Sequence, residues 1–283
     1  MAITNENPQD LPLSIYMPEK DFFPRIHWKE LWEFRELLFF LTWRDIKVRY
    51  KQAAMGVAWA ILQPLITMLI FSVIFGRLAE LPSGGVPYPV FCFVALLPWQ
   101  LFAGALSRIG ISLVTNTNLI TKVYFPRLLI PLSAVGSALF DFAISFVILM
   151  FMMLFYQIHL TWAILALPFL ILFAVVTAVA VGLWFAALNV QYRDVQFALP
   201  FIIQAWMYAS PVAYSSELIP PGFWSVLYSL NPMVGVIDGF RWALLGTAPP
   251  NILFLVSVAA VLVLLVSGLV YFKKMEEFFA DIV

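Results

Sequence analysis

Residues 44 to 76 read RDIKVRYKQAAMGVAWAILQPLITMLIFSVIFG, a compact basic run that passes directly into a stretch with no charge from Gln52 to Gly76. At about 1.5 Å per helical residue that stretch crosses a hydrocarbon core of roughly 30 Å, so it predicts a transmembrane helix. Lys and Arg are retained on the cytoplasmic side of a bilayer. Arg44, Lys47, Arg49 and Lys51 therefore predict that the first span runs from inside to outside.

Working outward, 63% of the 283 residues are hydrophobic and 11% are charged. Soluble domains carry about 25% charged residues, so the composition points to an all-α, polytopic membrane protein. The net charge of zero carries no nucleic-acid signal. A single cysteine, Cys92 in an apolar run, excludes an internal disulfide. The opening residues contain Glu6, Asp10, Glu19 and Asp21 without an apolar core, and no cleavable signal peptide is expected.

Residues 1–26 read as a cytoplasmic tail. An amphipathic interface helix is expected over 27–50, with Lys29, Glu30, Glu33 and Glu36 at helical spacing and Trp28, Leu31, Trp32, Phe34 and Leu38 on the other side. The transmembrane domain then fills 51–283. Its spans are expected at about 52–76, 86–107, 128–156, 162–189, 195–214 and 252–272, with a polar internal loop over 109–127 and a second at Arg193-Asp194. Pro220-Pro221-Gly222 and Asn231-Pro232 cut 217–246 into pieces too short to cross, predicting external re-entrant helices. Asn231 is placed to cap the second of them and Gly246 to stop it, with Asp238 and Arg241 one turn apart. In this layout fourteen of the sixteen Lys and Arg lie inside, with Arg77 and Arg241 outside, and both termini are cytoplasmic.

The chemistry is mostly exclusion. His27, His159 and scattered carboxylates make no catalytic or metal-binding constellation, and no internal inverted repeat is visible. The P-loop pattern G-x-x-x-x-G-K-[ST] is missing, so any pumping energy must come from another subunit. Asp141 is the one carboxylate deep in a predicted span, either neutral or paired with a neighbouring helix, or else the proton site of a secondary carrier. Pro64, Pro98, Pro131, Pro168, Pro200 and Pro211 punctuate the spans, and a bundle kinked in this way can hold a lumen. Phe197, Phe201, Gln204, Tyr208, Pro211 and Ser215 fall on one stripe of the fifth span, and Trp59, Gln63 and Thr67 on one of the first. Rings interleaved with amides and hydroxyls suit a sugar, although such stripes also serve packing or the interfacial belt. Trp99, Trp206 and Trp224 pose the same alternatives.

LTWRDIKVRYKQAAMGVAWAILQPLITMLIFSVIFG (41–76) resembles the first membrane segment of polysaccharide-exporting ABC transporter permeases, type-2 exporters that move O-antigen, capsule or teichoic acid. The likeness continues through LPWQLF (97–102), TNTNLITKVYFPR (115–127), Asp141-Phe142, YRDV (192–195), SPV (210–212) and LNPM (230–233). The resemblance implies a homodimer in the bacterial inner membrane with two copies of a separate ATPase, which binds the ATP and Mg, and no cofactor in this chain. It implies an undecaprenyl-linked glycan, with O-antigen the expected cargo, passing through a channel lined by Trp59, Gln63, Thr67, Phe197, Phe201, Gln204 and Tyr208. Arg44, Lys47, Arg49 and Tyr50 would meet the pyrophosphate head group or the ATPase, with Lys51 beside them in a cytosolic entry gate. Asn118, Thr121, Lys122, Arg193 and Asp194 would couple to the ATPase, with 115–127 as a coupling helix and the 217–246 helices closing the external side. The rival readings are an exporter of the same architecture for a small lipid or drug, a secondary carrier using Asp141, and a membrane-embedded glycosyltransferase.

Overall fold

The computed structural model describes residues 28–51, 56–276 and 279. The 1–26 tail, His27 and the junction at 52–55 lie outside the described residues. The described chain is helical, with α1 (Trp28–Glu33), α2 (Arg35–Lys51), α3 (Gly56–Phe71, continued by a π-helical stretch Ser72–Leu78), α4 (Tyr88–Thr115), α5 (Thr117–Lys122), α6 (Leu129–Phe155), α7 (Leu167–Gln191), α8 (Val195–Tyr208), α9 (Phe223–Ser229), α10 (Pro232–Leu245) and α11 (Leu253–Glu276).

α4 is the axis around which the others pack, touching α3, α6, α7, α8 and α10. A helix surrounded on all sides must be apolar all round. Its sequence obliges, with Val90, Phe93, Leu97, Phe102, Leu106, Ile109 and Leu113 buried on every side of the cylinder. The peripheral helices are one-sided. α3 turns Ala60, Pro64, Met68 and Phe71 inward at helical spacing and leaves Trp59, Leu62, Ile66, Leu69 and Ile70 exposed.

Close approach is bought with small residues, as expected where apolar surroundings give no net drive for helices to associate. At Gly136 of α6, a Cβ would overlap the Thr42 side chain of α2, and the Thr42 hydroxyl donates to the Ser133 carbonyl at 3.3 Å. α2 is thereby seated on α6. Asn189 of α7 does the same for α4, donating to the Gly110 carbonyl at 3.0 Å.

Five helical stretches are long and apolar enough to cross a bilayer: Ala58–Leu78, Tyr88–Thr115, Leu129–Phe155, Trp162–Gln191 and Leu253–Glu276. The expected second span needs extension. The helix does not yield to a loop at 109 but runs to Thr115, because Ile109, Ser112 and Leu113 are buried against the bundle and Arg108 finds a partner within it. The expected fifth span, 195–214, needs shortening. α8 ends at Tyr208 after 14 residues, about 21 Å, and the chain continues as turns through Ser215. Pro211, with no N–H to give a helix, lies in that break.

Beyond it, α9 and α10 fill the region expected to be re-entrant. Asn231 caps α10, accepting from the Met233 N–H at 3.1 Å, with Pro232 in the first turn. Gly246 closes the helix at φ 69°, a left-handed conformation natural to glycine.

Candidate functional site

Two ends of the bundle can be told apart by their chemistry. At one, Asp141 of α6 collects three donors. Arg108 Nη2 of α4 lies 2.5 Å from Asp141 Oδ2, Arg49 Nη2 of α2 lies 3.2 Å from the same oxygen, and the Tyr50 hydroxyl donates to Oδ1. Burial first, and then this bond to a carboxylate, push the Tyr50 phenol above its ordinary range, so the group remains a donor. Two guanidiniums against one carboxylate leave the cluster with surplus positive charge.

The arrangement matches one of the alternatives that Asp141 raised. A carboxylate held by two cations and a phenol joins α2, α4 and α6, which is the paired arrangement. It also divides the five gate candidates. Arg49 and Tyr50 turn inward to Asp141, while Lys47 and Lys51 are exposed. Arg44 pairs with Asp45 at 2.8 Å and donates to Asn116 Oδ1 at 2.9 Å. Asn116 is the residue between α4 and α5, so α2 is tied directly to the start of the short helix.

The coupling candidates lie at the same end. On α5, Ile120 is buried as the anchor, while Asn118, Thr121 and Lys122 are exposed and Tyr124 beyond them is 85% exposed. Arg193 and Asp194 are exposed in the turn between α7 and α8. The Asn189–Gly110 bond puts the end of α7 beside the end of α4, and Arg127 donates to the Glu276 carbonyl, bringing the end of α11 to the start of α6. The Arg127 N–H reaches the Glu276 carboxylate at 3.3 Å.

The channel candidates occupy the walls between the two ends. α8 buries Leu199 and Met207 and shows Phe197, Phe201, Gln204 and Tyr208 outward, the two Phe rings 75% and 76% exposed. Gln204 Nε2 donates to the Tyr208 hydroxyl at 3.3 Å. Pro211 and Ser215 leave this stripe because the helix has ended, and Pro211 is buried. On α3, Trp59 and Gln63 are exposed and half-buried Thr67 donates to the Gln63 carbonyl at 2.9 Å. α3 packs on α4 and α6, and α8 on α4 and α7, so the two stripes flank α4. The tryptophans divide. Trp99 is buried against Phe102, Trp206 donates to Asn231 Oδ1 at 2.9 Å, and Trp224 is exposed.

Sequence reasoning missed Arg108 and Asn116 as partners, and the roles of Tyr88 and Arg241 at the opposite end. A charge balance would have found Arg108, since an arginine and an aspartate in neighbouring apolar helices seek each other. Among the described residues no group of three or more His, Cys, Asp or Glu could hold a metal ion.

A helical bundle with five stretches long and apolar enough to cross a bilayer, an internal charge cluster and an exposed short helix beside it has the build of an integral membrane protein. Residues 36–245 match the ABC-2 type transporter family, and the chain belongs to it. It is 30% identical over 254 residues to the O-antigen export system permease protein RfbA of Myxococcus xanthus, covering 88% of this chain and 96% of that one. RfbA of Klebsiella pneumoniae is 30% identical over 256 residues, covering 87% and 95%. The polysialic acid transport protein KpsM of Escherichia coli is 25% identical over 248 residues, covering 83% and 91%.

Proposed function

We propose that the chain is the permease subunit of an ATP-driven exporter that moves a lipid-linked polysaccharide, O-antigen first among the candidates, across the bacterial inner membrane. Two copies pair around a common conduit, and two copies of a separate ATPase dock beneath them. The observation that supports this best is the exposure of Phe197, Phe201, Gln204 and Tyr208 along one face of α8, with Trp59 and Gln63 on α3, in a chain that matches O-antigen permeases over nearly their full length.

A face that only met lipid would have little use for Gln204 and Gln63 among its rings. Aromatic faces stack on the C–H faces of a pyranose, and the amides and phenol exchange hydrogen bonds with its hydroxyls. The end bearing α5 is then cytoplasmic: Asn118, Thr121, Lys122, Arg193 and Asp194 meet the ATPase, which supplies ATP and Mg. Lys47, Lys51 and the surplus charge of the Arg49–Arg108–Asp141 cluster attract the undecaprenyl pyrophosphate head group. Both termini are cytoplasmic in this orientation, and no group in the chain acts as a catalyst.

Deleting the gene tests the reading. Surface polysaccharide should disappear and lipid-linked glycan should accumulate on the cytoplasmic face, with both reversed by the intact gene. Unchanged surface glycan in the deletion strain, or loss of a small lipid in its place, would refute it.

A further inference from the structure

The break at the end of α8 leaves backbone carbonyls unbonded by any helix, in a stretch where Ser210, Pro211, Val212 and Ala213 are buried. Non-helical chain survives there only when neighbouring groups satisfy it. Here the donors come from far away in sequence. The Asn231 amide gives one N–H to the Ala209 carbonyl at 3.1 Å and reaches the Ser210 hydroxyl oxygen at 2.9 Å. Arg241 gives Nη2 to the Val212 carbonyl at 3.2 Å and Nη1 to the Tyr214 carbonyl at 3.0 Å. The Tyr88 hydroxyl of α4 donates to the Ala213 carbonyl.

Both residues are committed to this task. Asn231 Oδ1 accepts from Trp206 Nε1 of α8 while it caps α10, so its amide oxygen and nitrogen together join the two helices. Arg241 is 3% exposed, its guanidinium 3.8 Å from the centre of the Phe91 ring and its nearest carboxylate, Asp238, 3.9 Å away. A buried arginine is costly, and this one is spent on two carbonyls and an aromatic face more than on its ion pair.

We propose that Asn231 and Arg241 are positioning residues for transport, clamping the broken outer end of α8 to the re-entrant pair α9–α10 as the seal at the external mouth of the conduit. This rests on the reading of α8 as a conduit wall. The clamp fixes the outer end of that wall, while its inner half is seated on α4 by Leu199 against Gly110.

The test uses the whole permease–ATPase complex in vesicles loaded with carboxyfluorescein, without nucleotide. Asn231→Asp keeps the acceptor for Trp206 and the cap but turns a carboxylate oxygen toward the Ala209 carbonyl; Arg241→Met removes both donors, and Arg241→Lys keeps the charge. Efflux of the dye should rise roughly tenfold in Asn231→Asp and Arg241→Met, with Arg241→Lys between, because each variant takes a donor from the carbonyls of the break. Both variants lose donors and should melt lower, so efflux is read well below each melting temperature, where a purely structural role would lower stability without opening a leak. Vesicles bearing correctly inserted Asn231→Asp complex that hold dye as tightly as the unmodified complex would overturn the proposal. Should Arg241→Met fail to insert, Asn231→Asp and Arg241→Lys decide it. The leak requires no glycan, so a raised leak without glycan flux counts against the cargo and not against the seal.

Discussion

At the Asp141 end, α2 is joined to α4 and α6 side chain to side chain, through Arg49, Arg108 and Tyr50 around one carboxylate. At the Arg241 end, α8 is joined to α4 and α10 side chain to backbone, through Tyr88, Asn231 and Arg241 around a row of carbonyls. An ionic cluster with side chains about a fifth to two fifths exposed can exchange partners with solvent or with an arriving phosphate. The Val212 and Ala213 carbonyls, in buried residues, depend on Arg241 and Tyr88. Under the proposed function the first end is the one that the ATPase would work and the second the one that stays put.

The largest effect should come from breaking the first end. Asp141→Leu strands two guanidiniums and removes the acceptor of Tyr50, costing about 3 kcal/mol of stability and abolishing export. Asp141→Asn keeps one acceptor oxygen, enough for either Tyr50 or the arginines, and turns its amide N–H2 toward the other, so it should cost less than Asp141→Leu but remain measurable. Thermal unfolding of the purified complex measures both. Equal and negligible shifts would show that the strut bears no strain, and an Asp141→Asn complex that exports with ATP while the proton gradient is collapsed would remove the carrier alternative altogether.

Why some of this could be read from sequence follows from the same contrast. Spans, the capped α10 and the exposed stripes are local: charge-free length, Asn231-Pro232 and a repeat of three to four residues report them directly. The end of α8 was misplaced because apolarity says a segment can lie in lipid, not that it is helical. Its break depends on donors at Tyr88, Asn231 and Arg241, up to 125 residues away. Asp141 was conspicuous, but its partners Arg49 and Arg108 sit on separate helices 92 and 33 residues away, a pairing that only the packing of α2, α4 and α6 creates.

A milder effect should come from the wall between the two ends. The Phe197 and Phe201 rings are exposed, so replacing both by Ala should change stability by no more than about 0.5 kcal/mol. Glycan export should nevertheless fall about fivefold for each ring lost, the size of one aromatic contact of roughly 1 kcal/mol. Surface glycan is the readout, with ATPase binding as the control. If export of glycan is untouched, the α8 face meets lipid or the second copy, and the conduit lies elsewhere.

The smallest effect sharpens the contrast most, because it concerns how the workable end is worked. Arg44 reaches Asn116 Oδ1 at 2.9 Å while its other bonds go to neighbouring Asp45, and its side chain is 37% exposed, so the link contributes at most about 1 kcal/mol to stability. It is nonetheless a direct bond between α2 and the hinge that leads into α5. Arg44→Ala should leave the melting temperature within about 2 °C of the unmodified complex. ATP hydrolysis should continue, and glycan exported per ATP should fall two- to threefold, about 0.5 kcal/mol. Asn116→Ala alone would also lose its bond to the Ser112 carbonyl, so the informative measurement is the double-mutant cycle with transport per ATP as its readout. If the pair transmits motion from α5 to α2, the double variant is no worse than the weaker single one. Effects that add would mean that the two helices answer the ATPase separately, and the Asp141 cluster would then be their common linkage.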